Sequence, residues 1–433
     1  MSRIRDMARP IPELERAYAD RTPVEVEPPP LGLDIAARIA AVDQVKLRAD
    51  RLARLRAELA KRDFAGALLS DPMNIRYATG TRNMAVWTMH APGRYAFVAT
   101  NGPVVLFEFG ATKHVSRGVE TVDAMRTSTP WFYFLCGPRV EEKAQVWAEE
   151  VASLVRRHGG GNARLAVDRC EPWGAERLVQ LGLTLHDVQE AVEQARVIKT
   201  SEEIECLRLS MDVCDIAVER IRRALRPGVT ENQIWSILHE TNIAHDGEWI
   251  ECRLLASGER TNPWFQECSN RVIEPGDVVS FDTDMVGPFG YLADISRSYV
   301  CPGRRPTPEQ RRLYELAQAQ VLFNTELLRP GLSFREFSER CWPVPDAFVP
   351  NRYMMMIHGV GFVDEYPSVP YVQDFDAWGF DGLFEENMVV CVESYMGEAG
   401  GKEGIKLEQQ VLITASGAVP MSTSPFVDAI EAQ

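Results

Sequence analysis

Arg226-Pro227-Gly228-Val229-Thr230 and Arg329-Pro330-Gly331-Leu332-Ser333 match in residue type, position by position. Each closes a long amphipathic stretch with a Pro-Gly stop and then offers a hydroxyl. Three residues later comes a side chain able to return a hydrogen bond, Gln233 in the first case and Glu336 in the second. That pattern reads as helix, stop and capped second helix. The stretches ahead of the stops open on matching pairs of their own, Thr200 with Glu203 and Thr307 with Gln310. Downstream, Val278-Val279-Ser280-Phe281-Asp282 is answered by Val389-Val390-Cys391-Val392-Glu393, an apolar run that ends on an acid in both places. Two copies of a helix–helix–strand unit are therefore expected, facing each other across a pseudo-two-fold axis that brings the acids together. In the first copy the strands are expected at residues 251–257, 278–284 and 291–300.

Outward from this duplication, 433 residues are too many for one ordinary core, so more than one domain is expected. The reading is an α/β (α+β) protein with an N-terminal arm at 1–33, a smaller α/β domain at 34–195 and the duplicated domain at 196–433. The arm ends on Pro28-Pro29-Pro30. A helix is expected from Ala36 to Lys61, then short strands around an Asn101-Gly102 turn. A helix from Val140 to His158 stops at Gly159-Gly160-Gly161, and a strand Leu165–Val167 and a helix Glu171–Leu181 follow. No cluster of catalytic residue types stands out in 34–195.

Hydrophobic residues make up 45% and charged residues 25% of the chain, as in a soluble globular protein. A net charge of −15 argues against nucleic acid or an anionic membrane as partner. Nine cysteines without a CxxC pair read as reduced thiols in a cytoplasmic protein; Cys206, Cys214 and Cys391 read as core packing. Met1 to Asp20 lacks the apolar centre of a signal peptide, and no run approaches the roughly 20 apolar residues of a membrane span.

The chemistry lies in acids set among apolar strands. Asp282 and Asp284 are two apart, which on a strand puts both on one face. Asp294 follows the turn Gly287-Pro288-Phe289-Gly290. Glu393 ends one apolar strand, Glu408 sits inside another (Ile405–Ile413), and His358 lies between Met354-Met355-Met356-Ile357 and Gly359-Val360-Gly361. Singly, an Asp-x-Asp near a turn is more often a cap, and a histidine beside glycines is usually structural. Together, buried acids from both repeats demand a compensating cation. Four or five carboxylates with one imidazole suit two divalent ions, among which Mn, Fe, Co and Zn fit an oxygen-rich set.

The order Asp282, Asp294, His358, Glu393, Glu408 resembles the metal site of the creatinase/prolidase superfamily, whose duplicated domain is called the pita-bread fold. The resemblance covers residues from about 196 to 433, and the smaller domain is similar to that of creatinase and prolidase. The peptidases of the superfamily carry two further histidines. Here one position falls in His358-Gly359-Val360-Gly361-Phe362 and the other in Asn262-Pro263-Trp264-Phe265-Gln266, and both histidines are missing.

A narrower resemblance is to the DddP-type dimethylsulfoniopropionate lyases. It is carried by Glu248 to Glu251, Leu254 to Gly258, Arg260 to Cys268, Ser280 to Asp284, Asp294 to Ser298, Tyr353, His358 to Gly361, Asp364-Glu365, Cys391 to Glu393 and Ile405 to Glu408. Asp71-Pro72, Asn74 to Thr79, Asn83-Met84 and Trp87 extend it into the smaller domain.

This resemblance implies Asp284 as a sixth ligand, iron as the metal, a homodimer, and Asp364 as the base in a β-elimination that yields dimethyl sulfide and acrylate. An aspartate of ordinary pKa, about 3.9, scarcely removes a proton beside a carboxylate unless cations stabilise the charge that develops. The substrate that the resemblance implies is a small zwitterion. Its sulfonium end is expected against aromatic faces, with Tyr353 first, then Trp87, Trp264 and Phe265. Two other readings stand beside it. One is a metal-dependent hydrolase of a small C–N substrate, like creatinase, ectoine hydrolase or an Xaa-Pro peptidase; the other is a metal-free scaffold of the same fold.

Overall fold

The computed structural model describes residues 34–426; the expected arm at 1–33 lies outside the described residues. The first part of the chain builds one mixed six-stranded sheet. Its strands are β1 (Gly66–Leu69), β2 (Tyr95–Ala99), β3 (Val104–Glu108), β4 (Ala124–Thr127), β5 (Arg164–Val167) and β6 (Thr184–Asp187), in the order β4-β3-β2-β1-β5-β6. Side-chain alternation sorts its two faces. Ala67, Leu69, Ala96 and Leu106 pack with Leu55 and Leu59 of helix Gln44–Lys61. Leu68, Phe97 and Phe107 pack with Ala148 and Val151 of helix Val140–His158. That second helix runs as expected, with Gly159 as its C-cap. The helix expected at 36–61 is two helices, Ile35–Ala41 and Gln44–Lys61. The break is local: the Asp43 side chain accepts the Lys46 N–H and caps the second helix afresh.

The duplication is visible in backbone detail. Helix Ser201–Ala224 opens on the Thr200–Glu203 capping box and helix Pro308–Leu327 on Thr307–Gln310. After each comes a left-handed glycine, Gly228 (φ 93°) and Gly331 (φ 85°), where a side chain would be strained. Gly228 N–H donates to the Ile273 carbonyl at 3.0 Å and Gly331 N–H to the Phe384 carbonyl at 2.8 Å. Even the isolated bridges correspond, Thr230 with Val272 and Ser333 with Leu383. Helices Glu231–Ala244 and Phe334–Arg340 follow. Thr230 and Gln233 form the full reciprocal box, whereas only the Ser333 half forms in the second copy, because Glu336 is drawn to Arg340 at 2.6 Å.

The strands of the first copy are shorter than expected. They are β7 (Trp249–Ile250), β8 (Leu255–Ser257), β9 (Val278–Asp282), β10 (Met285–Val286), β11 (Leu292–Ala293) and β12 (Ser296–Val300). They form two three-stranded sheets, β11-β10-β7 and β12-β9-β8. Of the three strands expected here, 251–257 keeps only Leu255–Ser257, 278–284 stops at Asp282, and 291–300 is broken between Ala293 and Ser296. The breaks in the latter two share a cause, since Thr283 Oγ donates to the Ala293 carbonyl and accepts the Ile295 N–H, turning both chains out of the ladder at one level. The second copy stays continuous in β13 (Ile357–Val360), β14 (Asp364–Val369), β15 (Val389–Met396), β16 (Ile405–Thr414) and β17 (Gly417–Pro420). Their order is β14-β13-β15-β16-β17, all antiparallel.

The core runs on between the parts: Leu47, Ile75 and Tyr77 pack in one cluster with Tyr291, Val360, Phe362 and Leu412. Among the described residues, no helix is long and apolar enough to cross a membrane.

Candidate metal centre

The acids collect where the two repeats face each other. Asp282 is the last residue of β9, Asp294 lies in the gap between β11 and β12, and Asp284 stands just past the β9 break at φ 34°. Strand alternation is therefore not what aims Asp284; the turn is. One carboxylate oxygen from each of the three lies within 4.8 Å of the others. From the second repeat, Glu393 and Glu408 are directly opposite each other on β15 and β16, and Glu393 is mid-strand rather than at the strand end expected. His358 sits on β13 opposite Cys391. Its Nε2 lies 3.3 Å from Glu393 Oε1, 3.5 Å from Glu408 Oε1 and 3.6 Å from Asp294 Oδ2. All six side chains expected as ligands thus lie together, five of them buried and Asp284 half-buried.

Three residues at the site carry roles the sequence reading did not assign. Lys406 is fully buried, with Nζ 2.6 Å from Glu393 Oε2 and 3.2 Å from both Glu408 Oε2 and Asp282 Oδ2. It also donates to Ser296 Oγ at 2.7 Å. Period-two alternation from Glu408 was the signal available for it. Cys391, read as core packing, points its sulfur at the centre, 3.8 Å from Asp294 Oδ2. Glu251 has its backbone N–H on the Asp284 carbonyl at 3.0 Å.

Burial and mutual repulsion shape the titration. Desolvation, then Glu408, pushes Asp282 and Asp294 well above the usual carboxylate range, and burial with Asp364 raises Asp284 to about 6. Burial would raise Glu408 too, but Lys406 and His358 outweigh it and hold this acid low. His358 is disfavoured as a cation by burial, yet Asp364 and Glu393 more than offset that. Such a site lacks positive charge. Two of its oxygens, Asp282 Oδ1 and Glu408 Oε1, are buried with no hydrogen-bond partner, which is costly unless a cation takes them. The residues present therefore fit a metal centre.

Asp364 begins β14 rather than riding on a loop, because Val360 and Asp364 pair across β13 and β14 with only a short connection between them. Its Oδ1 is 3.4 Å from His358 Nδ1, and its side chain is 60% exposed, unlike every cluster acid. Partial burial raises its pKa, with His358 pulling the other way. Tyr353 and Trp264 flank Lys406. Tyr353 stacks on Phe265 at 5.3 Å and carries the ammonium 4.6 Å from its ring centre, while Trp264 is 6.0 Å from the same nitrogen. Trp87 packs against Phe109 and Phe132 in the smaller domain. Phe362, where the peptidases carry a histidine, is 1% exposed and stacks on Tyr291 at 4.6 Å.

Fold and centre define a class, that of the two-domain creatinase/prolidase metalloenzymes. Residues 205–415 match Metallopeptidase family M24 and residues 51–208 match the Creatinase/Prolidase N-terminal domain. Among solved structures, the Xaa-Pro dipeptidase from Bacillus anthracis superposes with a TM-score of 0.69 at 20% identity, covering 87% of this chain and 98% of that one. The prolidase from Pyrococcus furiosus gives 0.67 at 20% identity, covering 86% and 99%. Much nearer in sequence are two curated proteins named dimethylsulfoniopropionate lyase DddP. That of Roseovarius nubinhibens is 37% identical over 95% of this chain and 94% of its own. That of Roseobacter denitrificans is 38% identical over 91% and 89%. The chain belongs to the creatinase/prolidase superfamily and, within it, to the family of these DddP proteins.

Proposed function

We propose that the protein is a metal-dependent carbon–sulfur lyase that cleaves dimethylsulfoniopropionate to dimethyl sulfide and acrylate. The observation that carries this reading is the kinship with the DddP lyases over nearly the whole chain. The buried apolar side chain at position 362 supports it, since it fills a place where the peptidases of the superfamily have a working histidine.

Asp282, Asp284, Asp294, His358, Glu393 and Glu408 would hold two divalent ions, which with the Lys406 ammonium balance the five carboxylates. Bound there, the ions supply positive charge that stabilises the negative charge building on the substrate carboxylate as the neighbouring carbon loses its proton. Iron is the metal we favour, with Mn, Co or Zn compatible with the same ligands. Asp364, outside the cluster and open to solvent, takes the proton from the carbon next to the carboxylate. The C–H electron pair becomes the carbon–carbon double bond of acrylate. The C–S bond breaks with its electrons on sulfur, which leaves as neutral dimethyl sulfide, and the proton on Asp364 returns to water. Of the aromatic side chains, Tyr353, Trp264, Phe265 and Trp87 are the candidate substrate contacts. Tyr353 already holds one cation, Lys406, against its ring. A homodimer in the cytoplasm completes the proposal, and nine unpaired cysteines support that location.

The test is direct. Metal-loaded protein is incubated with dimethylsulfoniopropionate, and headspace dimethyl sulfide is measured by gas chromatography beside a chelated control. Chelator-sensitive release is expected. No release from protein shown to hold its metal overturns the lyase reading and leaves hydrolysis of a small C–N substrate as the alternative for the same centre.

A further inference from the structure

Two neighbouring acids at the start of β14 live in opposite surroundings. Asp364 opens the strand with its side chain exposed, 3.4 Å from His358 Nδ1. Glu365 faces the other side of the sheet, as alternation requires, and its side chain is 1% exposed. There Glu365 Oε2 accepts from Lys199 Nζ at 2.7 Å, and Oε1 accepts the Phe362 backbone N–H at 2.9 Å. Lys199 is equally buried and also donates to the Arg196 carbonyl at 2.8 Å. The Arg196 guanidinium stands farther off, 4.0 Å from Glu365, and is engaged by the Asn74 side-chain oxygen.

These bonds close a small loop of chain. Phe362 lies in the connection between β13 and β14, so the bond from Glu365 back to its N–H ties off the segment that carries Asp364. Gly361 leaves the room for this, since a side chain there would collide with the Glu365 carboxylate. On the other side of Asp364, the Tyr366 N–H donates to Glu193 Oε2 at 2.9 Å. Glu193 belongs to helix Gln189–Val197, and Lys199 stands two residues past its end. Both anchors therefore come from the place where the smaller domain passes into the repeats. The ladder does not fix this end by itself, because its register shifts between His358 and Gly359, where a bulge bends the strand. A buried ion pair is a poor source of stability, since apolar side chains of similar size serve as well. What it provides is a defined geometry.

We infer that Glu365, held by Lys199, is the positioning residue for Asp364, an assignment that rests on the role of Asp364 in the lyase reading above. Its own bonds go to the turn and to Lys199, not to the metal cluster. By fixing the backbone on which Asp364 stands, it sets where the exposed carboxylate meets the substrate carbon. Such placement matters, because a shift of about 1 Å in a reacting group can cost about 10²-fold in rate.

The experiment replaces the whole pair, because Glu365→Leu alone would strand a buried ammonium. Lys199→Met/Glu365→Leu puts apolar side chains of similar length in its place. Metal content by elemental analysis and KM for dimethylsulfoniopropionate are expected to stay near wild type, while kcat falls roughly 10- to 100-fold. Glu365→Gln keeps the shape and still offers an oxygen to the Phe362 N–H, so it should lose less kcat, again at unchanged KM. Because Glu365 acts through Asp364, adding the double replacement to Asp364→Asn should cost little beyond Asp364→Asn alone. A crystal structure of the double variant should show the Asp364 carboxylate moved away from His358. Unchanged kcat, or an Asp364 carboxylate still in its wild-type place, overturns the assignment. So do losses that multiply in full on Asp364→Asn, or loss of metal, which marks a structural role. If the double replacement does not fold, wild-type kcat in Glu365→Gln overturns it instead. A wild type that releases no dimethyl sulfide, or an Asp364→Asn variant that releases it normally, sinks the reading of Asp364 as base, while the position of its carboxylate in the crystal still judges Glu365.

Discussion

The two repeats reach the same centre by opposite means. In the first, the acids are aspartates at places where strands break, Asp282 at the end of β9, Asp284 beyond it at φ 34° and Asp294 between β11 and β12. In the second, they are glutamates inside unbroken strands, Glu393 and Glu408 opposite each other on β15 and β16. A short side chain needs the backbone turned towards the centre; a longer one reaches from an intact ladder. The intact ladder has its own cost, since two like charges are directly opposite. Lys406 offsets it by standing between them, 2.6 Å from one and 3.2 Å from the other. The difference teaches that a duplicated unit keeps its caps and stops while its two copies diverge at the strands that carry the chemistry.

Five variants test the contrast between the two repeats. The largest effect is expected from Asp294→Ala, which should release metal and abolish turnover; elemental analysis showing full metal content would refute its place in the centre. Asp364→Asn comes next. It belongs to neither set of cluster acids, so metal content should be retained while kcat falls by about 10² to 10⁴, the range for loss of a general base. Near-normal release would remove it from the reaction. Lys406→Met should destabilise the metal-free protein by about 3–5 kcal/mol, because it strips the compensating charge from buried acids. The loss should be smaller once metal is bound, and comparing denaturation midpoints with and without metal checks both parts. The smallest difference concerns the caps. Thr230→Ala removes half of a complete reciprocal box and Ser333→Ala half of an incomplete one. Each should cost about 1 kcal/mol, the first more than the second; the reverse order in urea denaturation would mean that the reciprocal bond adds nothing.

Much of this was legible beforehand, and the reasons are local. The Thr200, Thr230 and Thr307 boxes form as their spacing requires, and the Pro-Gly stops fall where the helices end. The order of acids and histidine that carries the family resemblance is gathered into one cluster. Other readings reached a correct place by a wrong route or missed it. Asp284 was expected to share a strand face with Asp282, but a turn aims it. Lys406 was overlooked although it alternates with Glu408, since a lysine in a strand ordinarily faces water.

Local sequence was enough to set the duplication, the capped starts and Pro-Gly stops of the repeat helices and the residue types available for a metal centre, since caps, stops and apolar runs act over a few neighbouring residues. What tertiary packing alone settles is where the strands break, which cation sits among the acids, and that the core runs on from one domain into the other. Those outcomes depend on Thr283 bridging two chains, on β15 and β16 bringing like charges together, and on one domain covering the other. No local pattern encodes contacts between residues so far apart along the chain.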